Sequence, residues 1–301
     1  MKTSENSVAK IRQGKARRQL ERAIDELPVL PTVVARLMVL DKDADDFFEQ
    51  LLELIQSEPN FSTRILAAAN SSSSAGRVSV GTIRGALTRI GSNNASSRLI
   101  AMAVTKVFVP RDEWERSLWR HAFQVASLAR AVARQSQDPE LLADEAYIAG
   151  LLHDVGRFLM FLSAPEKLQK IDEGDWDSPE KLVAMEREIC GLTHAELGAL
   201  ACQKWLLPDY LVEVVRTHHT PETGSSKANK LTVLVHFADI AMFPSATPGS
   251  PGRHEQSVEE IDRILSPLVP ESISCSPEQL RELIQRAAED AEQTCSMLGI
   301  A

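Results

Sequence analysis

The chain has 301 residues, and its 33 lysines and arginines are outnumbered by 42 aspartates and glutamates, which gives a formal charge of −9. This acidic balance disfavours general affinity for nucleic acid or anionic membranes, because phosphate binding depends on clustered lysine and arginine. The 44% share of hydrophobic residues can bury a substantial core, which excludes disorder of the whole chain.

Residues 1–26 are polar and carry a basic stretch between Lys10 and Arg22. A solvated, partly helical leader and a nucleic-acid arm both fit this composition. The solvated leader is favoured, because no aromatic residues are interleaved with the charges.

Residues 27–110 predict a first lobe of short helices. The segment Leu27–Pro31 is typical of extended backbone, and Pro31 suits the first turn of a helix. Apolar residues then recur at helical spacing up to Pro110. The sequence of this lobe contains no cluster of nucleophiles, bases or metal ligands, which favours a role as a packing scaffold or a partner surface.

Residues 111–245 predict a second helical lobe, which holds six of the seven histidines. A tract rich in Pro, Gly and Ser over 244–252 is typical of a flexible linker. The segment 246–301 is therefore predicted to consist of this linker followed by helices. The apolar stripe of the last helix must cover either the chain's own core or a second copy in a homodimer. The predicted fold class is all-α, with two helical lobes.

The cysteines and the apolar runs indicate the compartment. Four widely spaced cysteines without CxxC pairs fit a reducing environment. The N-terminal residues lack the apolar core of a secretion signal, and no stretch reaches the roughly 18 apolar residues of a membrane span. We therefore expect a cytoplasmic protein without a membrane partner.

Two side chains of the second lobe fall on predicted inward helix faces. His121 shares a face with Leu118 and Val125, since residues three and four apart lie together on a helix. Asp239 lies four residues after Val235 on another apolar face. A single inward histidine is usually a hydrogen-bonded core residue, so His121 alone indicates little.

His153 and Asp154 close a strongly apolar helix over 146–152. An ionised aspartate in such a helix costs several kcal/mol unless a cation or hydrogen bonds compensate it. Carboxylate and imidazole together suit Fe, Mn, Zn or Mg as a divalent metal cofactor.

Three further histidines lie at predicted helix ends. Thr193 and Glu196 form a capping box that places His194 in a first turn, where a histidine commonly faces solvent. His218 shares an apolar helix face, and His219 follows it, although adjacent histidines at a helix end can also cap the last carbonyls. Such side chains from different helices can converge on one ion in a helical core.

The order of His121, His153-Asp154 and Asp239 resembles the H…HD…D signature of the HD superfamily of metal-dependent phosphohydrolases, helical proteins in which these four side chains hold a metal. The span 27–245 more specifically resembles the HDOD domain. The matching segments are Leu27–Pro31, Ser57–Pro59, Ile65–Ser71, Ala86–Gly91, Gly150–Gly156, Thr193–Gly198 and His218–His219 followed by Pro221.

The resemblance implies a role in bacterial signalling, because HDOD domains occur in regulatory proteins and mostly have no established catalytic activity. The related HD-GYP phosphodiesterases use further metal ligands, matched here by His194, His218 and His219. The chain departs from them because 220–224 contains no Gly-Tyr-Pro and Arg157 replaces the expected lysine. A planar guanidinium replaces a compact ammonium poorly, which weighs against hydrolysis of cyclic dinucleotides.

Three functions follow as hypotheses. The favoured one is a regulatory HDOD module that binds signalling proteins without turnover. The second is a metal-dependent phosphohydrolase acting on a phosphoester or nucleotide, with Arg157 steadying a phosphate. The third is a sensor whose conformation changes when a metal or nucleotide binds in the histidine pocket. The metal ligands that the resemblance implies are His121, His153, Asp154, Asp239, His194, His218 and His219.

Overall fold

The fold is helical in the computed structural model, which describes residues 2–27, 36–37, 40, 44–57, 59–70, 79–174, 176, 178–222, 226–246, 263, 265, 268–269, 273 and 275–300. Among these residues the β-structure is limited to one isolated antiparallel bridge between Ser136 and Ile273. The predicted all-α fold class is confirmed. Within the same part of the chain, no helix combines the length and apolar character needed to cross a membrane.

The helices are numbered in chain order. They are α1 (Lys2–Asp25), α2 (Phe47–Gln56), α3 (Pro59–Ala69), α4 (Ile83–Ile90), α5 (Ser92–Val107), α6 (Glu113–Ala133), α7 (Ala143–Leu152), α8 (Val155–Ser163), α9 (Pro165–Asp172), α10 (Pro179–Cys190), α11 (His194–Lys204), α12 (Asp209–Thr217), α13 (Lys227–Ala246) and α14 (Pro277–Leu298). The predicted extended start and helix over 28–35, the break over 71–76 and the linker over 247–252 lie outside the described residues.

The chain divides into two compact units. The larger unit comprises residues 1–27 and 111–291, and the smaller comprises residues 28–110 and 292–301. In the smaller unit, α2 to α5 pack around wholly buried side chains such as Phe61 and Leu87. The turn between α4 and α5 is made by Gly91, whose φ of 81° lies in a region that a side chain disfavours.

In the larger unit, α6 packs closely against α7 and α13, and α11 packs against α8 and α12. The ring of Trp119 on α6 lies 4.2 Å, centroid to centroid, from that of Phe158 on α8. Both rings are fully buried, so this contact fixes α8 beside α6. These helices and the turns between them carry the candidate site described below.

Two predictions about the termini need correction. Residues 1–26 are not a separate solvated leader, because α1 packs on α8, α10 and α11 and buries Ala16 and Leu20 to within 1% exposure. Residues up to 291 at the other end belong to the larger unit rather than to a separate C-terminal segment. On the apolar stripe of α14, the side chains of Leu280 and Ile284 are buried, and the homodimer through this helix stays a prediction.

We expect the four cysteines to differ sharply in reactivity. Cys190, Cys202 and Cys295 are buried, whereas Cys275 is partly accessible. Burial raises the pKa of Cys190 to about 11 and that of Cys202 to about 12, which removes the reactive thiolate at pH 8. Ellman's reagent is therefore expected to label one thiol in the folded protein and four in guanidinium. Prompt labelling of a second thiol in the folded protein would contradict this assignment.

Candidate metal centre

The structure brings all seven predicted ligand residues together in the larger unit. They come from separate elements: α6 (His121), the turn between α7 and α8 (His153, Asp154), the start of α11 (His194), the turn after α12 (His218, His219) and α13 (Asp239). One group consists of Asp154, His194, His218 and His219, and the other of His121, His153 and Asp239. Within each group, every residue offers one nitrogen or oxygen atom, and these atoms all lie within 4.8 Å of one another.

The carboxylate of Asp154, a member of the first group, also faces the second group. Its Oδ1 is 3.1 Å from Nε2 of His194 and 3.8 Å from Nε2 of His218. Its Oδ2 is 3.6 Å from Nε2 of His153 and 3.8 Å from Nε2 of His121. One carboxylate therefore presents one oxygen to each group.

Three imidazoles point Nε2 towards this centre because their Nδ1 atoms have fixed partners. Nδ1 of His153 donates to the Gly150 carbonyl at 2.7 Å, and Nδ1 of His218 donates to the Val215 carbonyl at 2.9 Å. Nδ1 of His194 lies 2.7 Å from the Glu186 carboxylate. These acceptors place a proton on Nδ1, so Nε2 is the ring atom that faces the centre and would bind a metal ion once it carries no proton of its own.

The Nε2 atoms of three histidines lie close together at the centre. Nε2 of His194 lies 3.2 Å from Nε2 of His218 and 2.9 Å from Nε2 of His219. Two bare imidazole nitrogens repel each other at such distances, so a proton or a metal ion must lie between them. Histidines that bind metals typically hold the second ring nitrogen in a hydrogen bond to a carboxylate or a carbonyl, as His153, His194 and His218 do.

The electrostatics of the centre also favour bound cations. Burial alone would lower the pKa of His194, but the carboxylates of Glu186 and Asp154 outweigh it and raise that pKa to about 10. Burial alone would raise the pKa values of Asp154 and Asp239. The neighbouring imidazoles outweigh this effect and hold both pKa values well below the usual range. Burial, reinforced by His194, lowers the pKa of His219 to about 4. Three buried carboxylates thus attract positive charge.

Glu186 on α10 is a site residue that the sequence analysis did not identify. It is fully buried and accepts hydrogen bonds from both the backbone N–H and Nδ1 of His194. It thereby sets the orientation and the tautomer of that ring. Its spacing of four residues from the apolar Leu182 and Cys190 would have identified it by the pattern that singled out Asp239.

The donor set fits a divalent metal. Nε2 of His153 is buried and has no hydrogen-bond partner, so this atom is available as a ligand. Imidazole and carboxylate donors suit Fe, Mn, Zn or Mg. The four-residue group around Asp154 would hold one ion and the group of His121, His153 and Asp239 a second.

Arg157 lies one turn beyond Asp154 on α8, with 6% of its surface exposed. Its guanidinium forms an ion pair with Asp172 at the end of α9. Although burial alone would lower the pKa of Arg157, the carboxylates of Asp172 and Asp154 raise it above the ordinary value. Arg157, which was predicted to contact a phosphate, therefore already has its positive charge paired with the carboxylate of Asp172.

A cavity of about 160 Å³ opens onto the centre. Its polar side includes His121, Asp154, Asp239 and Arg157. Its apolar side is lined by Trp114, Leu118, Trp176, Pro179, Leu182 and Phe243. Ligand pockets commonly combine an apolar wall with a few polar groups in this way, so a small ligand would contact both sides at once.

The all-helical fold and the buried centre of histidines and aspartates from separate helices define a protein of the HD-superfamily class. Residues 27–221 match the HDOD domain, and the chain belongs to this family. The predicted family is therefore confirmed.

Solved structures share the fold. An HDOD domain protein of unknown function from Geobacter sulfurreducens superposes with a TM-score of 0.75 at 21% identity, covering 95% of this chain and 98% of that one. A candidate phosphohydrolase from Shewanella amazonensis gives a TM-score of 0.68 at 26% identity, covering 93% and 98%. A candidate signal transduction protein from Marinobacter aquaeolei gives 0.72 at 21% identity, covering 96% and 66%.

A curated relative, an uncharacterised protein of Treponema pallidum, is 26% identical over 219 residues, which is 73% of this chain and 42% of that protein. Ribonuclease Y of Thermus thermophilus is 26% identical over 156 residues, which is 51% of this chain and 21% of that enzyme. The chain thus spans less than half the length of these curated relatives.

Proposed function

We propose that this HDOD protein is a regulatory module of bacterial signal transduction, which holds divalent metal at the histidine–aspartate centre and engages signalling proteins without turning over a substrate. The Marinobacter aquaeolei neighbour is named for signal transduction, which agrees with this role. Both groups of candidate metal ligands among the described residues lie in the larger unit. The smaller unit is therefore available as a scaffold or partner surface.

The observation that carries the proposal is the ion pair between Arg157 and Asp172. Apart from a metal ion held at the centre, a phosphoester entering the cavity would need a side-chain cation to bind its phosphate, and Arg157 is the lysine or arginine among the described lining residues. Arg157 lines the cavity, but Asp172 already neutralises it and lines the same cavity. A phosphate would thus have to displace a carboxylate at a site that also contains Asp154 and Asp239, and this opposes substrate binding.

The experiment is elemental analysis of the purified protein, paired with a panel of phosphoester substrates assayed with added Mn or Fe. The control variant is His153→Ala, which removes one ligand and leaves the Arg157–Asp172 pair in place. We expect metal in the wild type, less metal in the variant, and the same negligible hydrolysis in both. Robust hydrolysis that disappears in His153→Ala would overturn the regulatory proposal.

A metal-dependent phosphohydrolase of the HD superfamily is the second candidate. It is favoured by the cavity, which reaches both ligand groups and Arg157 together. The Shewanella amazonensis neighbour is named as a candidate phosphohydrolase. A bound divalent ion would polarise a phosphoryl oxygen and lower the pKa of water. The apolar wall would exclude bulk water, and the ligand side chains would orient the ester.

Asp172→Asn is expected to increase affinity for phosphate by about tenfold, because an amide no longer neutralises Arg157 and charged hydrogen bonds contribute about 1.5–3 kcal/mol. Titration calorimetry of the metal-loaded protein with inorganic phosphate measures this change. The double variant Arg157→Gln, Asp172→Asn is the control, and it should bind phosphate no better than the wild type. Equal affinity in the single variant and the wild type would show that Asp172 does not block the guanidinium.

A further inference from the structure

A second concavity of the larger unit lies between α1 and the end of α8, away from the metal centre. It has a volume of about 470 Å³ and is lined by Lys15, Arg18, Arg22 and Glu26 at α1, with Leu162 of α8 at its edge. We call it the α1 groove. None of the seven candidate metal ligands lines it.

The positive charge of the α1 groove is not neutralised within the described part of the chain. Lys15, Arg18 and Arg22 are spaced by three and four residues, so they share one helix face, and all three are exposed. None of them forms an ion pair with a described residue. By contrast, Arg17 on the opposite face pairs with Glu21 at 2.8 Å. The groove is thus locally basic although the chain has a net charge of −9.

The helix that carries these cations is held in place. Ala16 and Leu20 on its inner side are buried, and Nε2 of Gln19 donates to the Ser163 carbonyl at 2.5 Å. Nζ of Lys204 on α11 donates to the carbonyl of Asp25 at 2.6 Å. Because the helix is already ordered, a ligand would lose little free energy in fixing it.

The remaining lining determines what kind of partner fits. The Leu162 side chain is 44% exposed, which offers an apolar contact beside the cations. Among the described lining residues there is no aromatic ring for base stacking, and Leu162 offers an apolar contact that a phosphate backbone would not use. The combination favours an acidic polypeptide with an apolar side chain over nucleic acid.

We propose that the α1 groove binds an acidic segment of a partner protein. Carboxylates of that segment pair with Lys15, Arg18 and Arg22, and an apolar side chain packs on Leu162. Since such exposed charges act mainly on association and are screened by salt, binding weakens as the ionic strength rises.

The test uses the full chain and a fluorescent synthetic peptide that contains several glutamates and two leucines one helical turn apart. A second peptide has glutamine in place of glutamate, and a single-stranded oligonucleotide of equal charge is the third probe. Fluorescence polarisation at low and raised salt gives the affinities. The groove variant is Arg18→Glu, Arg22→Glu. The charge-matched control is Arg281→Glu, Arg286→Glu on the exposed face of α14.

We expect the acidic peptide to bind the wild type, to bind the groove variant at least about tenfold more weakly, and to bind the α14 control within about threefold of the wild type. Added salt should weaken binding to the wild type. Both variants are expected to keep the wild-type melting temperature, because the substituted side chains are exposed, so a folding defect would be visible separately.

Three results would overturn the proposal. The first is equal weakening by the groove and α14 variants, which would indicate overall charge alone. The second is equal or stronger binding of the glutamine peptide or of the oligonucleotide. The third is failure of the acidic peptide to bind, including a case in which the wild type self-associates and the groove variant does not, which would assign the groove to a second copy.

Discussion

Replacing Asp154 with asparagine is expected to lower the affinity of the protein for divalent metal by at least about a hundredfold, since loss of a residue that merely orients a ligand already costs about 10–100-fold. The amide keeps the shape of the side chain but loses its charge, and Asp154 presents an oxygen to each ligand group. Mass spectrometry of metal content after dialysis against a fixed free-metal concentration measures the loss.

Two further variants calibrate this result. Glu186→Gln changes only the partner of His194 and is expected to have a smaller effect, about 10–100-fold. Asp138→Asn, whose carboxylate pairs with Lys230 away from the centre, should retain wild-type metal. Metal content that is the same in Asp154→Asn and the wild type would mean that the cluster is a hydrogen-bonded polar core rather than a metal site.

We expect Gly156→Ala to destabilise the larger unit by about 3 kcal/mol or more, the upper range for overpacking. A Cβ at Gly156 would lie 1.9 Å from the carbonyl oxygen of His194 and 2.6 Å from its carbon. Both are backbone atoms, so α8 and α11 would have to separate. Thermal unfolding should show a melting temperature lowered by about 5–10 °C.

Gly14→Ala is the matched control. Gly14 lies within α1, and the atoms nearest to a methyl group added there belong to the flexible Arg18 side chain, at 3.7 Å and beyond. Alanine at this position should be neutral or stabilise the helix by up to about 1 kcal/mol. Because helix separation would also move His194 away from Asp154, Gly156→Ala should lose metal as well. An unchanged melting temperature in Gly156→Ala would show that the two helices do not need this close contact.

Helical periodicity was sufficient to predict which side chains point inward. His121 and Asp239 fall on apolar faces because positions three and four apart align on any helix, whatever it packs against. The same rule applies to Glu186, which has apolar residues four positions away on both sides. Periodicity thus indicates that Glu186 points inward, but it does not indicate the contact with His194, because that residue lies beyond a turn.

Composition was a poorer guide to α1. The segment 1–26 is rich in charge, yet its helix packs on other helices of the larger unit and buries Ala16 and Leu20 on one face. An average over all faces of a helix conceals such a narrow buried stripe. The pairing of Arg157 with Asp172 was equally inaccessible, because it depends on how α8 and α9 fold back on each other.

The shared position of the Asp154 carboxylate has a thermodynamic consequence for filling of the centre. If metal binds as proposed, an ion held by one ligand group would withdraw negative charge from the Asp154 oxygen that faces the other group. The two halves are therefore not independent receptors. Two ions would load stepwise with unequal dissociation constants, and a titration would show a tight first equivalent followed by a weaker second one.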